Sequence, residues 1–336
     1  MTEIQIAAVG DLMVKRYIIS DAKQPNGTYV FDPLLKKVAP YLKRADLTIG
    51  NLETTFAGKK GSARQKSKGP LFKCPDELAP ALRRAGFDVL ITANNHCMDF
   101  GAAGLLRTLR ILDQNGIHHT GTFNSAKGSK EYLIKDIKGI KIGILSYANG
   151  LNGIPIPKSK PWLVNLVRTK KIVQDIHNLK KKVDLVIVYL HFGNEYHHSP
   201  NLQQKQLVKH LFKHGANIIL GSHPHVLQPL DSRGKKQFVI YSLGNFISTK
   251  LKNNHNTQSS IILNINVKKD NEGKISINGI HYIPTLVHRK LQNGRKKTEV
   301  IPIREALSEN NPNLKEKQRE RIKKMVEHSI KILKGI

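Results

Sequence analysis

The chain has 336 residues, 55 of them Lys or Arg and 25 Asp or Glu, for a net charge of +30 with histidine neutral. At 39% hydrophobic and 24% charged it can bury a sizeable core, which sets aside disordered, collagenous and membrane-spanning classes. Two cysteines, Cys74 and Cys97, provide neither a disulfide framework nor a thiolate zinc site.

Short apolar runs alternate with helix-period segments, an α/β rhythm. Residues 4–9 predict a strand, 31–42 a helix and 47–49 a short strand. A basic loop over 59–68 follows, carrying Lys59, Lys60, Arg64, Lys66 and Lys68. Pro75-Asp76-Glu77 opens a helix that Gly86 closes, and 88–92 is a strand. Residues 102–115 are helical, while 132–137 and 141–147 form a hairpin about Gly139. The stretch 149–162, rich in Gly and Pro, is a loop bordering a cleft.

Further along, 163–182 predicts a helix, 184–190 a buried strand, 202–214 a helix, and 217–220 and 237–242 strands, the latter after a turn at 231–235. Residues 259–267 and 274–283 alternate as antiparallel strands. The segment 313–334 is a basic helix with Ile322, Met325, Val326, Ile330 and Leu333 as its apolar stripe, expected to dock on the main domain or else to lie on an anionic membrane. The expected organisation is a main domain over 1–303 and a basic helical extension over 304–336 packed on it. No apolar run approaches the roughly 20 residues a membrane-spanning helix needs. The N-terminus does not read as a secretory signal, so the chain as written is expected in the cytoplasm, or outside it and membrane-associated if a leader was removed.

The chemistry-bearing residues gather just past strand ends: Asp11; Asn51 and Glu53; Asn94, Asn95 and His96; His191; His223 and His225. The carboxyl ends of strands in an α/β sheet form one ligand-binding edge, so these loops are expected to converge. Carboxylate, imidazole and amide oxygen together suit one or two borderline divalent ions such as Mn, Zn or Fe, with an acid able to bridge. Such a site activates water for hydrolysis. An extended His223-Pro224-His225 would put both imidazoles on one side.

The motifs Val9-Gly10-Asp11-Leu12-Met13, Asn51-Leu52-Glu53, Ala93-Asn94-Asn95-His96 with Asp99 and Gly101, Leu190-His191-Phe192-Gly193 with Glu195, Gly221-Ser222-His223-Pro224-His225 and Tyr241-Ser242-Leu243-Gly244-Asn245-Phe246 stand in one order. In that order they resemble the CapA (PgsA) family of bacterial poly-γ-glutamate capsule proteins. The resemblance implies a calcineurin-like metallophosphoesterase fold, a four-layer α-β-β-α sandwich with the active site at the strand carboxyl ends. It also implies a role in making, exporting or processing poly-γ-glutamate, in company with a membrane-bound capsule-synthesis complex. Position by position, it makes Asp11, Glu53, Asn95, His191, His223 and His225 the metal ligands. His96 becomes the group that protonates the leaving atom, with Asp11 and Glu53 beside it in the catalytic set.

Met13 stands where the phosphoesterase motif has a histidine, and a thioether is a poor ligand for such ions. The site is therefore either mononuclear or completed by Glu195 or water. Asn51, Asn94, Glu195, Ser242 and Asn245 are expected around the ligands, and Lys59, Lys60 and Arg64 where an acidic chain would enter. Cys97 is expected as a small buried residue. Three functions stay open: a hydrolase-like protein of the capsule type working on an anionic γ-glutamyl polymer, a phosphoesterase or nuclease, and a non-catalytic polyanion-binding component. On the resemblance a poly-carboxylate ranks above nucleic acid.

Overall fold

Strand β1 (Thr2–Leu12) is apolar on both faces: Ile4, Ile6 and Ala8 enter one core, Ala7, Val9 and Leu12 another. A strand covered on both sides reads as a nearly continuous apolar run, and β1 lies in the middle of its sheet. The computed structural model describes residues 1–58, 70–292, 294–308 and 316–335, apart from the side chains of Lys317 and Gln318.

The first sheet has the order β14 (Arg295–Pro302), β13 (Ile275–Gln292), β12 (Ser259–Lys269), β1, β2 (Leu47–Asn51), β3 (Val89–Ile91), β4 (His118–Thr120), and β11 (Asn245–Ile247) pairs with β1. Strands β1 to β4 run parallel, while β12 to β14 form an antiparallel wing. The second sheet has the order β5 (Leu133–Ile137), β6 (Ile140–Ala148), β7 (Leu185–His191), β8 (Ile218–Ser222), β10 (Gln237–Leu243), β9 (Leu227–Arg233). Its four inner strands are parallel and both edges antiparallel.

The sheets face each other across a core in which Ile6, Ile49 and Ile91 meet Ile144, Ile187 and Ile240. Each such side chain contributes roughly 1.5–3 kcal/mol on burial. Helices α1 (Arg16–Ala22), α2 (Asp32–Leu35), α3 (Ala39–Leu42) and α4 (Leu78–Ala85) cover the outer face of the first sheet. Helices α6 (Thr169–Lys180) and α7 (Leu202–Lys213) cover the outer face of the second. Helix α5 (Gly101–Gln114) packs Leu105 and Leu109 against Leu151, Ile154 and Leu163. The result is the expected α-β-β-α sandwich.

Several predicted elements are corrected. The helix expected over 31–42 is two single turns, α2 and α3, because Pro40 lacks an N–H and clashes with the preceding turn. The helix expected from 163 begins at Thr169: Val164 and Leu166 instead bridge to Thr122 and Ala148. The turn expected over 231–235 lies instead at 234–236, since Asp231 and Arg233 belong to β9 and β10 opens at Gln237. Strand β13 runs on past 283 through Pro284, tolerated because pairing with β14 starts only at Thr285.

After helix α8 (Ile303–Leu307) comes α9 (Glu316–Leu333), so the helix start expected at 313 lies outside the described residues. Ile322 and Met325 pack on Leu286 and Ile301, and Ile332 and Leu333 join the core between the sheets. Of the expected stripe, Ile322, Met325 and Leu333 are buried and Val326 and Ile330 half-buried, while Lys323, Lys324, Lys331 and Lys334 face solvent. Among the described residues no helix is long and apolar enough to cross a membrane.

Candidate metal centre

The parallel strands of both sheets end at one edge, and their last residues turn polar there. Asp11 lies near the end of β1, Asn51 ends β2, Asn94 to His96 follow β3, His191 ends β7, Ser222 ends β8, and Asn245 opens β11. Glycines let backbones approach closely at this edge: a Cβ on Gly10 would lie 1.9 Å from the Gly244 carbonyl oxygen, and one on Gly221 of β8 2.0 Å from that of Tyr241 on the neighbouring β10. Only a residue without a side chain allows these approaches. Asp11 N–H donates to that same Gly244 oxygen at 2.9 Å, which fixes where its carboxylate points.

At the centre is Glu53, fully buried, with three imidazole nitrogens around its Oε1: His191 Nε2 and His225 Nε2, each at 3.8 Å, and His96 Nε2 at 4.0 Å. Neither Glu53 oxygen has a hydrogen-bond partner among the described residues. Outer groups orient each ring. His225 Nδ1 meets Asp11 Oδ2 at 3.2 Å and Asn245 Oδ1 at 3.0 Å, both acceptors, so Nδ1 carries a proton and Nε2 faces Glu53. His96 Nδ1 meets Asp99 Oδ2 at 2.9 Å, which aims its Nε2 inward.

Asn51 ties the strand ends together, donating from Nδ2 to Asp11 Oδ1 at 2.7 Å and to Ser222 Oγ at 3.3 Å, and accepting from Asn94 Nδ2 at 3.2 Å. Asn95 Oδ1 and His223 Nδ1 both face His191 Nε2, at 2.9 and 3.2 Å. The 223–225 turn is not extended as the sequence suggests: His223 (φ 99°) and His225 (φ 60°) both hold left-handed backbone. Tyr196 N–H anchors the Pro224 carbonyl at 2.8 Å, and the two rings consequently serve different neighbours, with His223 half-buried at the mouth.

These environments set opposite protonation tendencies. Burial pushes the Asp11 carboxyl up, but the hydrogen bond and charge of His225 outweigh it and hold Asp11 well below the carboxylate range. Glu53 goes the other way, raised well above its ordinary value by burial and then by the charge of Asp11. Burial, reinforced by His223, drives His191 well below the usual imidazole value, and burial with His225 brings His223 down to about 4. Two carboxyl groups thus crowd one point with two imidazoles, His191 and His223, whose unprotonated form is favoured by burial.

A divalent ion fits that arrangement. Leaving a buried carboxylate unpaired costs roughly 1–3 kcal/mol or more, and a cation supplies what Glu53 lacks. Asp11, Glu53 and His225 offer ligand atoms within 4.8 Å of one another, and Asn95, His191 and His223 border them. Carboxylate, imidazole and amide oxygen are donors that Mn, Zn and Fe accept.

Residues 5–250 match the model of a family described as bacterial capsule synthesis protein PGA_cap. The chain belongs to this family. Among its relatives, the capsule biosynthesis protein CapA of Bacillus anthracis is 31% identical over 250 residues, covering 73% of this chain and 60% of that one. The PGA biosynthesis protein CapA of Bacillus subtilis strain 168 is 28% identical over 274 residues, covering 81% and 70%. The chain thus spans 60% of the length of the first of these relatives. In fold it is similar to the calcineurin-like phosphoesterase YfkN from Bacillus subtilis, with a TM-score of 0.50 at 12% identity, covering 98% of this chain and 97% of that one. The PGA_cap chain therefore has a metallophosphoesterase-like fold with a candidate metal centre at its polar edge.

Of the residues singled out in the sequence, Asp11, Glu53, Asn95, His96, His191, His223 and His225 stand together, with Asn51, Asn94 and Asn245 supporting them. Ser242 does not join them: its Oγ accepts from Gly244 N–H at 3.2 Å and so supports the backbone that receives Asp11. Glu195 is half-buried and hydrogen-bonded to Tyr196. Met13 is buried with Phe72 and Leu251. Lys59, Lys60 and Arg64 lie outside the described residues. Cys97 is buried, its thiol pushed up to about 12 by burial.

Sequence reasoning missed Asn152, in the Gly- and Pro-rich loop, whose Oδ1 accepts from Asn95 Nδ2 at 3.2 Å while its Nδ2 lies 3.4 Å from His96 Nε2. The loop was legible as a cleft border, but an asparagine in a turn carries no signal of its own. Lys15, within electrostatic reach of Glu53 and Glu195, was missed as one lysine among many.

Proposed function

We propose that this PGA_cap chain is a metal-dependent hydrolase-like protein acting on poly-γ-glutamate in capsule biosynthesis. The observation that carries the reading is Glu53: a buried carboxylate with no hydrogen-bond partner among the described residues, ringed by three imidazole nitrogens. The printed names of the relatives, capsule biosynthesis and PGA biosynthesis proteins, support the pathway. Asp11, Glu53 and His225 would hold the ion, with His191, His223 and Asn95 beside them. When bound, it supplies a Lewis acid and lowers the pKa of water at the site.

The protein's own groups do the rest. His96, steered by Asp99 through Nδ1, holds a proton at Nε2 for the departing nitrogen or oxygen. Asn152, beside both Asn95 and His96, sets the spacing between the ion's ligands and that acid. Met13, buried among apolar side chains, supports about one ion per chain, since a second would lack its nitrogen ligand.

The test begins with metal content of protein purified without chelator. The wild type is expected to carry about one ion per chain, Asp11→Ala and His223→Ala much less; equal metal in all three defeats the ligand assignment. Poly-γ-glutamate and simple phosphomonoesters and phosphodiesters are then each incubated with added Mn or Zn. Cleavage of the polymer supports the proposal. Cleavage of phosphoesters alone replaces it with a phosphoesterase, and salt-dependent polymer binding without any cleavage replaces it with a binding component.

A further inference from the structure

Next to the metal centre, a cavity of about 410 Å³ opens between the segment after β1 and the strand-like stretch around Phe72. Its lining includes Lys15, Arg16 and Lys73 and, among the described residues, no acidic side chain. Some cations elsewhere on this surface are ion-paired, among them Arg84 with Asp32, Arg107 with Asp76 and Arg289 with Asp21. Among the described residues, none of the three lining cations has a carboxylate within ion-pair distance; Lys15 and Lys73 instead lie 5.2 and 5.5 Å from the ring centroids of Phe72 and Phe100.

The wall shared by this cavity and the metal centre is Phe72. Its ring packs on the His96 ring with centroids 4.1 Å apart, and its backbone N–H donates at 2.6 Å to Asp99 Oδ2, the oxygen that also steers His96. A group lodged beside Lys15 and Phe72 is therefore one side chain away from the proton donor. The cavity combines cations with an apolar wall of Val14, Ile19 and Phe72, which suits a carboxylate carried on a short methylene stem better than a hydrated free ion.

We propose that this cavity is a carboxylate-binding subsite in which Lys15, Arg16 and Lys73 hold an acidic side group of the substrate chain while a neighbouring linkage lies at the metal centre. The inference rests on the proposed polymer substrate and adds what recognises it. Held at two points, the chain has one register relative to His96, so the subsite confers both affinity and the position of the reacting bond.

Equilibrium binding of a short γ-linked glutamate oligomer tests it, using the full chain with Mn present. Arg16→Gln/Lys73→Gln is compared with Lys235→Gln/Lys236→Gln, which removes the same charge from a separate basic cavity near the β9–β10 turn. Arg16 and Lys73 are exposed, so the fold and metal content should be unaffected, which thermal unfolding and metal analysis check. The expected result is a loss of about tenfold or more in affinity for the first variant and little change for the second. Equal weakening in both overturns the subsite and leaves only a bulk charge effect. If the wild type binds no γ-glutamyl oligomer and takes only a phosphoester, the polymer reading itself fails, and the carboxylate assignment with it.

Discussion

Glu53 concentrates the physical conflict of the site. Its carboxylate is buried, lacks a hydrogen-bond partner among the described residues, and is pushed toward its neutral form by burial and by Asp11. Glu53→Gln keeps the shape and removes the charge. The metal-free variant is therefore expected to be more stable than the metal-free wild type by roughly 1–3 kcal/mol, measured by denaturant unfolding in chelator. Added Mn should stabilise the wild type and not the variant; a variant less stable than the metal-free parent would show that Glu53 has a partner in solution. Met13 supplies a second check. Because its side chain packs with Phe72 and Leu251, Met13→Leu should keep its metal content and change stability by less than about 1.5 kcal/mol. A loss of metal in that variant would make the thioether a ligand.

At the scale of elements, the site depends on backbones that touch. A methyl group on Gly10 would sit 1.9 Å from a carbonyl oxygen, so Gly10→Ala must move β1 or the 244 turn, and with it the Asp11 carboxylate. Lower metal affinity together with a lower unfolding midpoint is expected, and unchanged metal affinity would show that the strand ends adjust independently. The strands that carry this edge were readable because both of their faces are buried, as in the 184–190 run that became β7. Strands β9 and β14 were not, since Asp231-Ser232-Arg233 and Arg295-Lys296-Lys297 are charged, exposed edge segments without apolar alternation. Among the site residues, carboxylates and histidines after apolar strands were legible from sequence. The direction of each ring was not, because it is set by partners far along the chain, such as Asn245 for His225 and Asp11 for the His223 backbone. The left-handed turn at 223–225 likewise follows from the Tyr196 anchor and not from local propensity.

For the molecule as a whole, the charge of +30 sits on a fold with a buried acidic centre. An ion bound only by the folded state stabilises it by mass action, about 2.7 kcal/mol at a hundredfold excess over its dissociation constant. Chelation should lower the thermal midpoint and readdition of Mn restore it; a midpoint indifferent to both would leave the centre without its ion.

The ligand atoms come from residues as distant as Asp11, on β1 of the first sheet, and His225, in the turn between β8 and β9 of the second. The first sheet carries Asp11 and, just past β2, Glu53, but the His225 imidazole comes from the second sheet, so the full ligand set assembles only when the sheets have docked. Metal uptake is thereby expected to be a late folding event, governed by long loop closures. A refolding experiment that follows metal binding and tryptophan burial together should find that binding never precedes sheet docking. By the same separation an ion held there would act as a clasp: the two halves of the sandwich would not part without breaking ligand bonds, and release of metal and opening of the fold would become one slow step.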